Sequence, residues 1–148
     1  MTFKSEFAKF VCEGDRITCT VGQFDCTATL YRDDCGDVPD ERDCGFWPSL
    51  DPNSAGYIGP KAKRTLARHM AKAQAIMDAW ERDEWHYFGV AVTVEKNGVQ
   101  LTHQCDHAVW GIEGNYPGAD NSYLRVVANE LLPEALDAAK AKLEQLAA

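Results

Sequence analysis

The sequence lacks the short motifs that mark common catalytic sites. It contains no GxSxG, no Walker phosphate loop, no GxGxxG and no HExxH. Because no nucleophile and base pair can be named, the sequence favours a protein that is not an enzyme. One alternative stays open, a small hydrolase in which Glu84 and Glu113 serve as general acid and base.

Long apolar runs are also missing. No stretch approaches the roughly 20 apolar residues that a membrane-spanning helix needs. Residues 1–10 contain Glu6 and no apolar core of the kind found in secretory signals. These features predict a protein of the cytoplasm of its cell, with no membrane partner and with its cysteines reduced.

Basic residues are scarce relative to acidic ones. The chain has 15 Lys and Arg against 23 Asp and Glu, a formal net charge of −8. An acidic chain repels phosphate backbones, which argues against direct nucleic-acid binding and favours a protein partner with a basic surface. Solubility alone is the other explanation of the charge. The sequence leaves open whether the chain is a monomer or a homodimer.

What the sequence does contain is clear strand and helix periodicity over a single domain, residues 1–148. Apolar residues alternate through 17–30 around a Gly22-Gln23 turn, and again from His86 to Val94 before an Asn97-Gly98 turn, after which the chain returns to about Ala108. Helical patterns cover 60–83 and 120–146, with Asp120 as the N-cap. The prediction is an α+β fold: an antiparallel sheet of about four strands (two hairpins) with two main helices packed on one face. Pro133 should kink or split the last helix.

Residues 33–59 show neither period, and they are predicted to form a long acidic loop that bears cysteines. Its acidic residues are the predicted contacts to a basic partner, with Trp85 and Tyr116 as aromatic anchors, since Trp and Tyr are enriched at interface hot spots. The acidic set is Asp33, Asp34, Asp37, Asp40, Glu41 and Asp43. Pairing with this loop, or plain solvation, is expected to balance the cations near the start of the helix that follows, and a bound anion or an acidic partner is the alternative. These cations are Lys61, Arg64, Arg68 and Lys72.

The six cysteines include no CxxC pair, so the usual zinc-knuckle spacing is missing. The best metal candidate is the HQCDH run, where His103, Cys105 and His107 would point to one side of a strand. Cys35 or Cys44 from the acidic loop would complete a tetrahedral zinc site. Ordinary polar residues on a half-exposed strand are the alternative, and no other cofactor is indicated.

Several motifs spread along the chain resemble those of a family of small phage and prophage proteins of unknown function. They are EGDRITC at 13–19, AW at 79–80, DEW at 83–85, GVAVTV at 89–94, KNGVQL at 96–101, WGIE at 110–113, YPG at 116–118, DNSYL at 120–124 and ANELLPEAL at 128–136. The resemblance implies a gene on a mobile element and an accessory role. By analogy, such a protein would bind a host protein.

The leading functional hypothesis is therefore a phage or mobile-element accessory protein that binds a host protein and inhibits a host defence complex, of the anti-CRISPR or anti-restriction type. A zinc-stabilised structural or regulatory module and a small hydrolase are the alternatives. Fold or family resemblance by itself does not establish any of the three.

Overall fold

The computed structural model of the protein describes residues 2–34, 38–39 and 63–148. These residues form seven elements: β1 (Arg16–Val21), β2 (Phe24–Arg32), α1 (Lys63–Glu81), β3 (His86–Lys96), β4 (Val99–Gln100), β5 (Ala108–Gly114) and α2 (Ser122–Ala147). The chain divides into two compact units, Met1–Asp33 with His86–Ala148, and Asp34–Trp85. The single domain stays a prediction.

The first hairpin, β1 with β2, forms as its alternation predicts. Val21 lies opposite Phe24 across a two-residue turn, in which Gly22 takes a φ of 59°. Cys19 and Cys26 lie opposite each other within the hairpin, and the Cys26 side chain is buried. The hairpin is thus anchored by its apolar face.

β3 is the central strand, paired with β2 on one side and with β4 and β5 on the other. Residues from Tyr87 to Val92 are all buried, as expected of a strand with neighbours on both sides. Asn97 and Gly98 connect β3 to β4 with φ values of 52° and 80°. Two successive positive φ values are what a type I′ hairpin turn requires, so the predicted turn is confirmed.

The sequence predicted one continuous return strand from Val99 to about Ala108, and this prediction is wrong for residues 101–107. The chain pairs with β3 at Val99–Gln100, leaves the sheet over residues 101–107, and rejoins β3 at Ala108. Two groups of the excursion replace the missing strand: the Thr102 hydroxyl accepts a bond from Val94 N at 3.0 Å, and the His107 carbonyl accepts one from Val92 N at 2.9 Å. The sheet consequently has five strands rather than about four.

Helix α2 covers one face of this sheet. Its buried side chains join those of β2 and β3 in one core cluster, which includes Leu30, Val90, Val92, Leu124, Val127, Leu131, Leu132, Ala135 and Ala139. Helical spacing predicted an apolar stripe on α2, which is thereby confirmed: Leu124, Val127, Leu131, Ala135 and Ala138 or Ala139. Pro133 lies inside the helix, which continues unsplit from Ser122 to Ala147. The α+β class with an antiparallel sheet and two main helices is confirmed.

The segment before β1 contributes core side chains that periodicity did not reveal. Phe3, Phe7 and Val11 are all buried in the same cluster, although residues 2–12 form neither helix nor strand. Asn129 of α2 holds the start of this segment, because its Oδ1 accepts from Phe3 N at 2.7 Å and its Nδ2 donates to Phe3 O at 3.3 Å. One amide thus satisfies both backbone groups of a buried residue.

In the second unit, helix α1 buries Ala73, Ile76, Met77 and Ala79. Helical spacing had predicted an apolar stripe that shares two of these residues: Leu66, Met70, Ala73, Met77 and Trp80. The helix ends in a Schellman motif: Asp83 has a φ of 62°, its N–H donates to Trp80 O, and Glu84 N donates to Ala79 O. Trp85 follows directly and packs edge-on against Trp80, with ring centroids 5.0 Å apart. This end of α1 is therefore tightly fixed.

Candidate functional site

A cavity of about 390 Å³ lies where β5, the loop after it and the first turn of α2 come together. We call it the β5–α2 cavity. Among the described residues, its lining contains two acidic residues and two tyrosines. The lining residues are Gly111, Ile112, Glu113, Tyr116, Ala119, Asp120, Asn121, Ser122 and Tyr123.

Two asparagines in the left-handed region shape the loop beside the cavity. Asn115 and Asn121 have φ values of 62° and 66°, which Asn tolerates better than most residues. Asn121 Oδ1 accepts from Asn115 N at 2.7 Å, and Asn121 Nδ2 donates to Asn115 Oδ1 at 3.0 Å. The loop between them, residues 116–120, is therefore closed at its base by a side chain.

The same asparagines tie the N-terminal segment to the cavity. Asn115 Oδ1 accepts from Val11 N at 2.8 Å, and Asn115 Nδ2 donates to Val11 O at 2.9 Å. Asn121 Nδ2 donates to Lys9 O at 2.8 Å. Asn121 is only 6% exposed, so these bonds form with little competition from water. The rear of the site is thus rigid and built from contacts distant in sequence.

Asp120 stands at the start of α2, and the predicted N-cap is displaced by one residue. Asn121 takes the N-cap position without a side-chain capping bond, while Asp120 Oδ1 accepts from Ser122 N at 3.0 Å. Hydrogen bonds from the side chain and backbone of Ser122 hold the pKa of Asp120 below its usual value. Asp120 consequently keeps its negative charge at neutral pH.

Tyr116 is half-buried in the cavity wall. Desolvation raises its pKa from 10.0 to about 12, with smaller contributions from the negative charge of Glu113 and from Tyr87. Burial thus keeps the Tyr116 phenol neutral at physiological pH, so that it presents an aromatic ring and an uncharged hydroxyl to the cavity.

This pKa shift predicts a loss of stability in base. Since the folded state raises the pKa of Tyr116, the stabilisation is complete below pH 10 and is lost as the pH rises towards 12. Tyr116→Phe cannot ionise, so its free energy of unfolding should fall less steeply than that of the wild type between pH 10 and 12. Urea denaturation at several pH values measures the difference.

Tyr123→Phe, a change at an exposed position, is the matched control. Burial also raises the pKa of Cys26 to about 12, but both variants keep Cys26, so its effect cancels in the comparison. Parallel pH profiles for Tyr116→Phe and the wild type would contradict the prediction.

Only some of the residues predicted to bind a partner are described by the structure, and only one of these lines the cavity. Tyr116 lines the β5–α2 cavity, and Asp33 N donates to Tyr87 O at 2.9 Å, which fixes the end of β2. Asp34 is described but is not part of the cavity lining. The remaining acidic residues, Asp37, Asp40, Glu41 and Asp43, lie outside the described residues.

The prediction that Trp85 contacts a partner is wrong, because this residue is buried. Its side chain is 0% exposed, and its indole N–H donates to Ile76 O at 2.9 Å. Burial with a satisfied N–H is the behaviour of a core tryptophan, which has no surface left to offer a partner. Trp110, predicted to pack in the fold, is instead 46% exposed, and its ring lies over Gly89.

The strand geometry proposed for a zinc site is wrong. Residues 103–107 form turns and bends, so His103, Cys105 and His107 are not alternating strand positions. His103 and Cys105 are exposed, while His107 is buried with its Nδ1 3.8 Å from Glu134 Oε1. Within the described part of the chain, no three potential ligands come together to hold a metal. Cys35 and Cys44 lie outside the described residues.

The two carboxylates considered for catalysis have separate structural settings. Glu84 forms an ion pair with Arg82 at 2.8 Å, and Glu113 belongs to the cavity lining. Neither observation supplies a nucleophile. The hydrolase alternative stays a prediction.

No protein-family model, no curated protein and no solved structure matches this chain. The resemblance to small phage proteins therefore stays an expectation. The search for helices able to cross a bilayer, made over the described residues, found none.

Sequence reasoning missed Asn115, Asn121 and the cavity that they support. The available signal was the pair of asparagines flanking the Pro117-Gly118 turn, because Asn is enriched in turns and at positive φ. Their partners in residues 8–11 lie more than 100 positions away in sequence, and no local pattern connects the two segments.

Proposed function

We propose that this protein is a phage or mobile-element accessory protein that acts by binding a host protein with a basic surface, and that it inhibits a host defence complex. The observation that carries the binding proposal is the β5–α2 cavity, whose described lining combines the carboxylates of Glu113 and Asp120 with the rings of Tyr116 and Tyr123. The chain's net charge of −8 supports the same kind of partner. The role in host defence rests on the resemblance to small phage proteins.

The setting of the cavity also favours a protein partner. Tyr123 and Val126, one helical turn apart on α2, are 57% and 44% exposed. An exposed aromatic and aliphatic pair beside a polar cavity has the composition of an interface, in which apolar contact supplies affinity and charge supplies orientation. The acidic residues predicted as contacts, from Asp33 to Asp43, are a second, separately testable source of negative charge for such a partner.

The test is affinity capture from a bacterial host lysate, followed by charge reversal. Lysine in place of Asp33, Asp34, Asp37 and Asp40 should abolish capture, because the introduced positive charges would repel the basic surface of the partner. Capture by the wild-type protein should also weaken at high salt, as expected of screened charges.

A matched control reverses four exposed acids of α2, Glu130, Glu134, Asp137 and Glu144. It changes the net charge by the same amount at a different surface, and capture should persist. Equal retention of the partner by both charge-reversed proteins would refute the acidic contact surface. A wild-type protein that captures no host protein would refute the binding function itself.

A further inference from the structure

Two cysteines lie directly opposite each other in the β1–β2 hairpin, where Cys19 pairs with Cys26 in the antiparallel register. Cys26 belongs to the core cluster and is 0% exposed, and Cys19 is partly buried against the same cluster. Directly opposed residues in such a ladder have Cα atoms about 4.5–5.5 Å apart. This spacing lies within the range of about 4.4–6.8 Å that disulfides span.

The two thiols also contact each other through a hydrogen bond. Burial raises the pKa of both thiols, to about 12 for Cys26, and the hydrogen bond opposes this rise for Cys19 and adds to it for Cys26. These opposite effects arise when the Cys26 S–H donates and the Cys19 sulfur accepts. Cys19 is therefore the thiol that ionises more readily, with the Cys26 sulfur held beside it.

Access to the pair is one-sided. Cys19 is partly exposed, whereas Cys26 is completely buried, so a reagent in solution reaches Cys19 first. Asp25 and Glu95 line the same surface depression as the two cysteines. An uncharged reagent is therefore favoured over an anionic one, because like charges repel.

We propose that Cys19 and Cys26 form a reversible disulfide by exchange with a small uncharged disulfide, and that this bond closes the β1–β2 hairpin covalently. The site is separate from the surface of the proposed binding function. In the reducing cytoplasm predicted from the sequence the pair would remain open, so closure would follow oxidation of its surroundings.

The exchange takes two steps, written here for a reagent RSSR. The Cys19 thiolate attacks one sulfur of the reagent, which forms Cys19–S–SR and releases RS⁻. The Cys26 thiolate then attacks the Cys19 sulfur, which forms the bond between the two cysteines and releases the second RS⁻. The cysteines lose two protons and two electrons in total, and the electrons reduce the reagent to two thiolates.

The test incubates the reduced full chain with hydroxyethyl disulfide in mildly alkaline buffer, blocks the remaining thiols with iodoacetamide and maps the disulfides by mass spectrometry. The peptides that contain Cys19 and Cys26 should be linked in the main product. Serine in place of both exposed cysteines, Cys12 and Cys105, should leave this link unchanged. Because a cross-link restricts the unfolded chain, the linked protein should unfold at a higher urea concentration, and dithiothreitol should reverse this increase.

Two variants assign the order of the steps. Cys26→Ala cannot complete the second step, so Cys19 should accumulate as the mixed disulfide with mercaptoethanol. Cys19→Ser changes a partly exposed residue and should leave Cys26 as a free thiol, modified at least about tenfold more slowly than Cys19 is in Cys26→Ala, because burial makes a thiol inert. In urea the same Cys19→Ser protein should be modified at Cys26, since unfolding exposes this side chain.

The inference is overturned if the wild-type protein forms no link between Cys19 and Cys26, or if either is linked mainly to another cysteine. It is also overturned if the linked protein unfolds at the same or a lower urea concentration than the reduced protein. Modification of Cys26 in Cys19→Ser at the same rate with and without urea would exclude the proposed order of the two steps. None of these outcomes depends on capture of a host protein, so the proposed function is tested separately.

Discussion

Replacing Gly114 with alanine is expected to destabilise the protein by about 1–3 kcal/mol, the usual cost of overpacking a core. A Cβ at this position would lie 2.3 Å from both Cδ2 and Cε2 of Phe88. The Phe88 ring is 1% exposed, so it cannot move aside without disturbing the core. Gly114 does not have a positive φ, so the penalty is steric. Urea denaturation gives the free energy of unfolding that tests this.

The direction of this effect is informative because Gly→Ala at an unstrained position ordinarily stabilises a protein by about 0.4–1 kcal/mol. Gly89→Ala is the matched comparison, since its Cβ would also lie 2.3 Å from a ring atom, Cε3 of Trp110. Trp110 is 46% exposed and can swing towards solvent, so we expect a smaller loss. Gly114→Ala as stable as the wild type would contradict the close packing of β5 against Phe88.

Local patterns were sufficient for the parts of the fold that local chemistry determines. The β1–β2 hairpin follows from alternation around Gly22, and the β3–β4 turn follows from Asn97-Gly98, because the twist of a two-residue hairpin demands positive φ values. The α2 stripe follows from the helical spacing of its apolar residues. In each case the signal and the structure lie within a few residues of each other.

Where side chains replace backbone partners, the sequence pattern misleads. Residues 101–107 were predicted to belong to the return strand, yet the chain leaves the sheet there, and the side-chain hydroxyl of Thr102 takes the place of a backbone acceptor for Val94 N. The proposed zinc geometry depended on that strand and was wrong with it. Similarly, Trp85 looks like a surface aromatic in sequence, but the end of α1 buries it.

The cavity itself was predictable only in part. Tyr116 was identified from its residue type, and Glu113 was considered for another role, but their common wall depends on the loop that Asn115 and Asn121 close. That closure requires the N-terminal segment as a partner. A site assembled by contacts this distant in sequence has no periodic signature.

The larger expected effect concerns this closure. Asn121→Gly should destabilise the protein by about 2–4 kcal/mol, because several buried hydrogen bonds lose a partner at once. Asn115 N would lose its acceptor at 2.7 Å, and Lys9 O its donor at 2.8 Å. Glycine adopts the φ of 66° without strain, so the loss combines the missing side-chain bonds with the greater freedom of glycine in the unfolded chain. Urea denaturation measures the change in free energy of unfolding.

Asn97→Gly is the control, since Asn97 also has a positive φ, 52°, but lies exposed in a hairpin turn. Its stability should change little, because a type I′ turn accepts glycine at either central position. Hydrogen exchange adds a local test: Asn121→Gly should lower the protection of the Val11 and Asn115 amides more than that of the β2–β3 core. If both variants were equally stable, the bonds of Asn121 would not be what holds the β5–α2 cavity together. The rigidity of this cavity would then need another source.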